Sequence, residues 1–245
     1  MPDHFWILAT FAIVAFLATA LQALTGFGFA LIVMPLASML LGIRTAAPLV
    51  ALTALTLYAV NVIRYRESLS LGEVWRLAVA SAAGVPVGVW VVARANETLV
   101  KMLLGAALIG YSLHSFVHSR PKARCAPPWA YLFGFLSGSL GGAYNTSGPP
   151  VVMYAVLRQW PKDEFRAALQ TLFLVSGAMT VLWHALAHHF STAVLGIYMW
   201  TPLALAAGLW AGIRVDRHVD RERFRLLVVA MVFLLGLSLV LNLGR

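Results

Sequence analysis

The sequence is poor in charged residues and contains a single cysteine. Asp, Glu, Lys and Arg make up only 11% of the 245 residues, whereas about 25% is usual in soluble domains. Hydrophobic residues make up 61%, and apolar runs near the length of a membrane span recur along the whole chain. These runs are continuous rather than alternating, which favours membrane helices over a β-barrel. The lone Cys125 excludes an internal disulfide.

Acidic residues are the scarcest charged group, and none falls inside a predicted span. All nine lie in predicted loops or at helix ends, at Asp3, Glu67, Glu73, Glu97, Asp163, Glu164, Asp216, Asp220 and Glu222. A cation carrier usually holds a carboxylate at mid-membrane. The distribution therefore argues against cation or metal transport and favours a small anion, with neither a metal site nor a cofactor expected. The net charge of +9 reflects basic cytoplasmic loops rather than nucleic-acid binding.

Ten apolar segments follow one another along the chain, and some of them are short for a span. The segments are 5–24, 28–42, 46–63, 74–93, 98–118, 129–142, 149–158, 166–186, 192–213 and 224–243. Because a span needs about 20 residues, the segment 28–42 and the pair 129–142 and 149–158 are predicted to be broken or re-entrant helices. The sequence therefore predicts an all-α polytopic membrane protein with roughly 8–10 membrane segments.

Lys and Arg residues are distributed unequally between two sets of loops. Fourteen of the 18 flank the loops that follow residues 63, 118, 158 and 213, and the opposite side has only Arg44, Arg94, Lys101 and Arg245. The positive-inside rule places the first set in the cytoplasm. We therefore predict a multi-pass protein of the bacterial inner membrane with both termini outside.

The two halves of the chain share an ordered set of glycine and proline residues. Nine residues separate glycine from proline in both Gly26–Pro35 and Gly141–Pro150, and the later run 84–88 (GVPVG) corresponds to 208–212 (GLWAG). Each half has an odd number of crossings, so the two copies are predicted to be inverted, as in many secondary transporters. The expected organisation is a first repeat at 1–120, a basic cytoplasmic linker at 121–128 and a second repeat at 129–245.

The run from Gly141 to Pro150 (GGAYNTSGPP) combines glycine, polar side chains and proline. Pro149 and Pro150 are predicted to start a half-helix, since proline is tolerated in a first turn. The N-terminus of that half-helix offers N–H donors and a partial positive charge to an anion. The alternative is a tight helix-packing site of small residues. The predicted helix-breaking residues are Pro35, Pro149 and Pro150.

Candidate donors to the anion come from both copies of this motif. Gln22 and Thr25 supply side chains in the first copy, and Gln170 is added because it lies one helical turn beyond Arg166 on the same face. Asn61 is better explained by hydrogen bonding between helices. The predicted substrate-binding residues are Gln22, Thr25, Gly26, Gly28, Gly141, Gly142, Asn145, Thr146, Ser147, Gly148 and Gln170.

Arg166 and a histidine group each have more than one interpretation. Arg166 stands at a predicted cytoplasmic helix start beside Asp163 and Glu164, where it is either a gate for anions or a positive-inside anchor with local salt bridges. His184 and His188 are four residues apart and share a helix face, which permits metal binding or proton relay. Because no acidic residue falls in the spans to assist either role, an interfacial cluster is favoured and no metal site is predicted.

Two stretches resemble a known family. At Gln22–Pro35, and above all at Gly138–Tyr154 (GSLGGAYNTSGPPVVMY), the chain resembles the sulfite exporter TauE/SafE family. The resemblance spans nearly the whole chain and implies a membrane permease, not an enzyme, for sulfite, an organosulfonate or a related sulfur-containing anion. The implied partners are a small anionic solute and membrane lipid, and no nucleic acid is expected. A homo-oligomer is compatible with the sequence.

One class of enzyme competes with the transporter interpretation. Asn145-Thr146-Ser147-Gly148 is close to the Gly-x-Ser-Gly pattern of rhomboid-like intramembrane serine proteases, in which Ser147 would be the nucleophile and His184 its base. Asn145 stands where the pattern has its first glycine, and two prolines follow directly. The internal repeat has no role in a protease, so the transporter is favoured.

Overall fold

Every regular element in the described part of the chain is a helix. The structure, a computed structural model, describes residues 2–68, 71–92, 126–144, 147–218 and 220–241, with isolated positions between 102 and 116. The helices are α1 (Pro2–Thr25), α2 (Phe29–Leu41), α3 (Ile43–Tyr65), α4 (Leu71–Val92), α5 (Trp129–Tyr144), α6 (Gly148–Arg158), α7 (Lys162–Leu186), α8 (Thr192–Tyr198), α9 (Thr201–Asp216) and α10 (Arg221–Leu241). The predicted all-α class is confirmed.

Four described segments are long and apolar enough to cross a membrane. They are Trp6–Thr25, Arg44–Ser68, Lys162–Leu186 and Thr192–Asp216. At about 1.5 Å of rise per residue, each of them matches or exceeds the roughly 30 Å hydrocarbon core of a bilayer. The chain is therefore a polytopic membrane protein.

Three details differ from the sequence-based expectation. The segment 192–213 is two helices, α8 and α9, because Pro202 occupies the first turn of α9 and has no N–H to continue the preceding helix. Pro35 lies inside α2, so the helix-breaking role predicted for Pro35 is wrong, and the interruption lies at residues 26–28. Most of the segment 98–118 and of the linker 121–128 lies outside the described residues.

The chain divides into two compact units, and each takes residues from both halves of the sequence. Unit 1 comprises residues 1–69 and 166–219, and unit 2 comprises residues 70–165 and 220–245. The predicted repeats, 1–120 and 129–245, follow a different division of the chain. The inverted relation between those repeats stays a prediction.

In unit 1, α1 packs closely against α9 at two glycines. A Cβ atom added at Gly208 would meet the carbonyl oxygen of Phe16, and one added at Gly212 would lie 2.6 Å from the carbonyl oxygen of Ala20. Both approaches are too close for any larger residue. These glycines therefore allow the two backbones to touch, as small residues do between membrane helices.

In unit 2, α4 and α5 make a comparable contact. A Cβ atom at Gly134 of α5 would lie 2.5 Å from the carbonyl oxygen of Leu77, and one at Gly138 would meet that of Ser81. From the other helix, Gly84 faces the carbonyl oxygen of Phe135. Glycines on both partners are therefore needed for this pair.

Candidate functional site

The first interruption separates α1 from α2 at residues 26–28. α1 ends at Thr25 and α2 begins at Phe29. Gly26 and Gly28 have φ angles of 85° and 105°, in a region that glycine enters at little cost because it has no Cβ atom. The backbone of this break therefore explains why the sequence has glycine at both positions.

Gln22, from the last turns of α1, bridges the break with both ends of its amide. Its Oε1 accepts a hydrogen bond of 2.9 Å from the Phe29 N–H, in the first turn of α2. Its Nε2 donates to the Gln170 Oε1 of α7 at 3.2 Å. Gln22 therefore satisfies one of the backbone donors that a helix N-terminus leaves without an intrahelical partner.

Gln170 and Asn61 complete what we call the amide cluster, which consists of Gln22, Asn61 and Gln170. The Gln170 Nε2 donates to the Gly26 carbonyl oxygen at 2.7 Å, and the Asn61 Nδ2 donates to the Gln170 Oε1 at 3.4 Å. The three side chains are at most 2% exposed. The inter-helix role predicted for Asn61 is confirmed, and the cluster ties α1, α3 and α7 to the break.

Thr25 closes the C-terminal end of α1. Its hydroxyl lies 2.9 Å from the Leu21 carbonyl oxygen and 2.8 Å from that of Phe27, and it accepts a longer bond of 3.4 Å from the Phe27 N–H. Thr25 is fully buried. The side-chain donors of the first motif copy therefore meet protein oxygens, Gln22 that of the Gln170 amide and Thr25 those of backbone carbonyls, and their role as donors to an anion stays a prediction.

The second interruption lies in unit 2, between Tyr144 of α5 and Gly148 of α6. Pro149 and Pro150 occupy the first turn of α6, where their missing N–H groups cost no helical hydrogen bond. The Ser137 hydroxyl of α5 donates to the Ser147 carbonyl oxygen at 2.6 Å. The predicted donors Asn145 and Thr146 lie outside the described residues, as do the surroundings of Gly141 and Gly142.

Arg166 is the largest fully buried side chain in the described chain. Its guanidinium makes a two-pronged ion pair with Asp216, the last residue of α9, through two contacts of 2.8 Å. It also donates to the Leu24 carbonyl oxygen of α1, and its charged carbon lies 5.9 Å from the centre of the Tyr65 ring. Sequence reasoning placed Asp216 only among the helix-end acids, so it missed this ion pair across 50 residues.

The histidine group contains one close contact. The Nδ1 atoms of His184 and His189 are 2.9 Å apart, so one ring donates to the other. The backbone of His188 has a φ angle of 53°, where the chain turns after α7. Within the described residues no group of three metal-ligating side chains occurs.

In the described part of the chain, apolar membrane helices with two interruptions, and buried amides at one of them, are typical of polytopic membrane transporters. The family described as "Sulfite exporter TauE/SafE" matches residues 11–239. A protein named "Probable sulfite/organosulfonate exporter TauE", from Cupriavidus necator, is 30% identical over 184 residues, which are 72% of this chain and 71% of that protein. No solved structure matches the chain significantly.

The chain therefore belongs to the TauE/SafE sulfite exporter family. Members of this family are transporters rather than enzymes. The rhomboid-like alternative, with Ser147 as nucleophile and His184 as base, receives no support from either comparison.

Proposed function

We propose that the chain is a secondary transporter that carries a small sulfur-containing anion, such as sulfite or an organosulfonate, across the bacterial inner membrane. The solute class is supported by the family description and by the name of the relative from Cupriavidus necator. An anion is supported independently by the sequence, because none of the nine acidic residues lies in the interior of a predicted span.

The observation that carries the proposal is the break between α1 and α2, with its buried amides. Gln22 and Gln170 are buried within two helices that are long enough to cross the membrane, and buried polar groups in membrane helices are typical of solute pathways. Their Nε2 groups and the Thr25 hydroxyl are donors that now meet protein oxygens. We propose that these donors turn to the anion when it arrives.

A helix terminus alone would not hold the anion. Its dipole contributes typically 0.3–1 kcal/mol per charge, and up to about 2 kcal/mol where it is partly buried, which does not offset the dehydration of an anion. Side-chain donors are therefore part of the proposal. Those of the second break, Asn145, Thr146 and Ser147, with the backbone of Gly141, Gly142 and Gly148, are included on sequence grounds.

Flux measurements on the purified chain in proteoliposomes test the proposal. We expect transport of sulfite, an organosulfonate or a related sulfur anion above that of empty vesicles, and no comparable flux of inorganic cations. A panel of anions fixes the preference. Protein that is folded and inserted yet moves no sulfur anion would contradict the proposed function.

Removal of single donors tests the proposed residues. Asn145→Ala and Ser147→Ala should each reduce anion affinity roughly tenfold or more, because a hydrogen bond to a charged group contributes about 1.5–3 kcal/mol. Ser176→Ala is the matched control, since its hydroxyl bonds to Leu172 within its own helix. If both donor variants keep the affinity and flux of the unchanged chain, the anion binds elsewhere.

The proposed orientation places Cys125 in the cytoplasm and both termini outside. A membrane-impermeant thiol reagent should therefore label Cys125 only after the cells are permeabilised. Because Cys125 is the single cysteine, no background substitution is needed. Strong labelling of intact cells would reverse the orientation.

A further inference from the structure

Four helix ends meet around the Arg166 guanidinium in unit 1. Leu24 and Tyr65 belong to the last turns of α1 and α3, Asp216 ends α9, and Arg166 itself lies in the second turn of α7. Basic residues flank the ends of α3, α7 and α9, which assigns the position of Arg166 to the predicted cytoplasmic side. The ion pair therefore stands where a solute that leaves the cytoplasm would first reach unit 1.

The ion pair is expensive to bury. The Arg166 side chain is 1% exposed and that of Asp216 is 13% exposed. Removing two charges from water often costs as much as their attraction returns, so an apolar pair of similar volume would hold the helices at least as well. An arginine fork, in contrast, recognises the paired oxygen atoms of a carboxylate or a similar oxyanion.

Arg166 is also connected to the break. It holds the Leu24 carbonyl oxygen, while Gln170, one turn further along α7, holds that of Gly26. Both side chains therefore fix the end of α1. If Arg166 exchanged its carboxylate partner for another, its hold on the Leu24 carbonyl oxygen would change as well. That carbonyl lies beside Gln22 and Thr25, two of the proposed donors.

We propose that Arg166 is an anion-receiving residue that Asp216 masks, and that the two form a latch at the cytoplasmic end of unit 1. The oxygen atoms of a sulfonate or sulfite replace the Asp216 carboxylate on the guanidinium. The end of α9 is then released from α7 and α1. This inference rests on the proposed function, because it needs a transported oxyanion.

Binding of methanesulfonate to three purified variants tests the latch. Asp216→Asn removes the competing charge while it keeps one oxygen acceptor, so affinity should rise about tenfold. Arg166→Gln removes the receiving group and should lower affinity about tenfold or more. Asp220→Asn is the matched control, because Asp220 is 63% exposed in an ion pair with Arg223, and its affinity should not change. Folded Asp216→Asn protein with unchanged or weaker affinity would overturn the latch.

A labelling measurement leaves the native ion pair of Arg166 and Asp216 in place. Ala23 of α1 packs against Gly212 of α9, four residues before Asp216. In a Cys125→Ser background, saturating methanesulfonate should speed thiol labelling of Ala23→Cys several-fold. Ala15→Cys, equally buried in the same helix but two turns away, should be unaffected. Equal labelling of Ala23→Cys with and without bound methanesulfonate would also overturn the latch.

The two proposals fail in different ways. If the unchanged chain binds methanesulfonate but Asp216→Asn binds it no more tightly, the latch is wrong and the transported solute class stands. If the unchanged chain binds neither sulfite nor any sulfonate, the proposed function is wrong, and with it the anion-receiving role of Arg166. If the Asp216→Asn change then still speeds the labelling of Ala23→Cys, Asp216 holds the end of α9 against α1 but does not mask an anion site.

Discussion

The interruption between α1 and α2 and the one between α5 and α6 each leave three residues between two helices, 26–28 and 145–147. In the first, the backbone takes φ angles open to glycine, and side chains from α1, α3 and α7 hold it. In the second, prolines start the new helix and a serine hydroxyl of α5 holds the Ser147 carbonyl oxygen. Among the described residues, amides from distant helices hold the first break, whereas residues of the two flanking helices hold the second.

Gln170→Leu should produce the largest difference between the two breaks. It leaves the Gly26 carbonyl oxygen and the Gln22 amide without their partner, and each buried group left in this way costs about 1–3 kcal/mol. We expect a clear fall in thermal stability in detergent and loss of anion flux. Ser176→Ala on the same helix should change neither. If Gln170→Leu matched the unchanged chain in stability, the amide cluster would not be what holds the first break.

Gly28→Ala should have a smaller effect on the same break. Alanine at a positive φ angle is strained, and such a change destabilises by more than about 1 kcal/mol. Gly196→Ala is the matched control, because an added Cβ at that helical position meets no atom within 4 Å and alanine favours a helix by about 1 kcal/mol over glycine. The midpoint temperature of thermal unfolding should therefore fall for Gly28→Ala and rise for Gly196→Ala. A shift of both in the same direction would contradict the backbone explanation for Gly28.

Ser137→Ala should have the smallest effect and act on the second break alone. It removes one hydrogen bond to the Ser147 carbonyl oxygen, which is worth about 0.5–1.5 kcal/mol. Ser139→Ala is the control on the same helix, because its buried hydroxyl meets no hydrogen-bond partner among the described residues. Loss of stability in Ser139→Ala but not in Ser137→Ala would remove the proposed support of the second break.

The close helix pairs extend the comparison from the breaks to the units. In unit 1, α1 of the first half packs on α9 of the second, and in unit 2, α4 of the first half packs on α5 of the second. The motif pairing of the sequence relates α1 to α5 and α4 to α9. Each unit therefore contains one helix of the α1/α5 pair and one of the α4/α9 pair, and the two helices come from different halves of the chain. Two repeats that had exchanged one helix would give this arrangement. A two-fold axis in the membrane plane stays a prediction.

Structural features that are set by residues close together in the sequence could be predicted from the sequence. The apolar lengths predicted the membrane helices, the short segment 28–42 predicted a helix interruption, and Pro149 and Pro150 predicted a helix start. Pro35 misled the same reasoning, because a proline within an apolar helix can be tolerated when surrounding helices satisfy the freed backbone. The division of 192–213 was missed although Pro202 was a visible signal.

The amino-acid sequence by itself determined that the chain is helical, membrane-embedded and interrupted at two places, because these properties follow from hydrophobic length and from the backbone preferences of glycine and proline. Only the tertiary structure decided which polar groups meet. Gln22 contacts Gln170 across 148 residues and Arg166 contacts Asp216 across 50. Such partners are chosen by helix packing, since a buried amide or charge must be satisfied by whatever polar group the fold brings within reach.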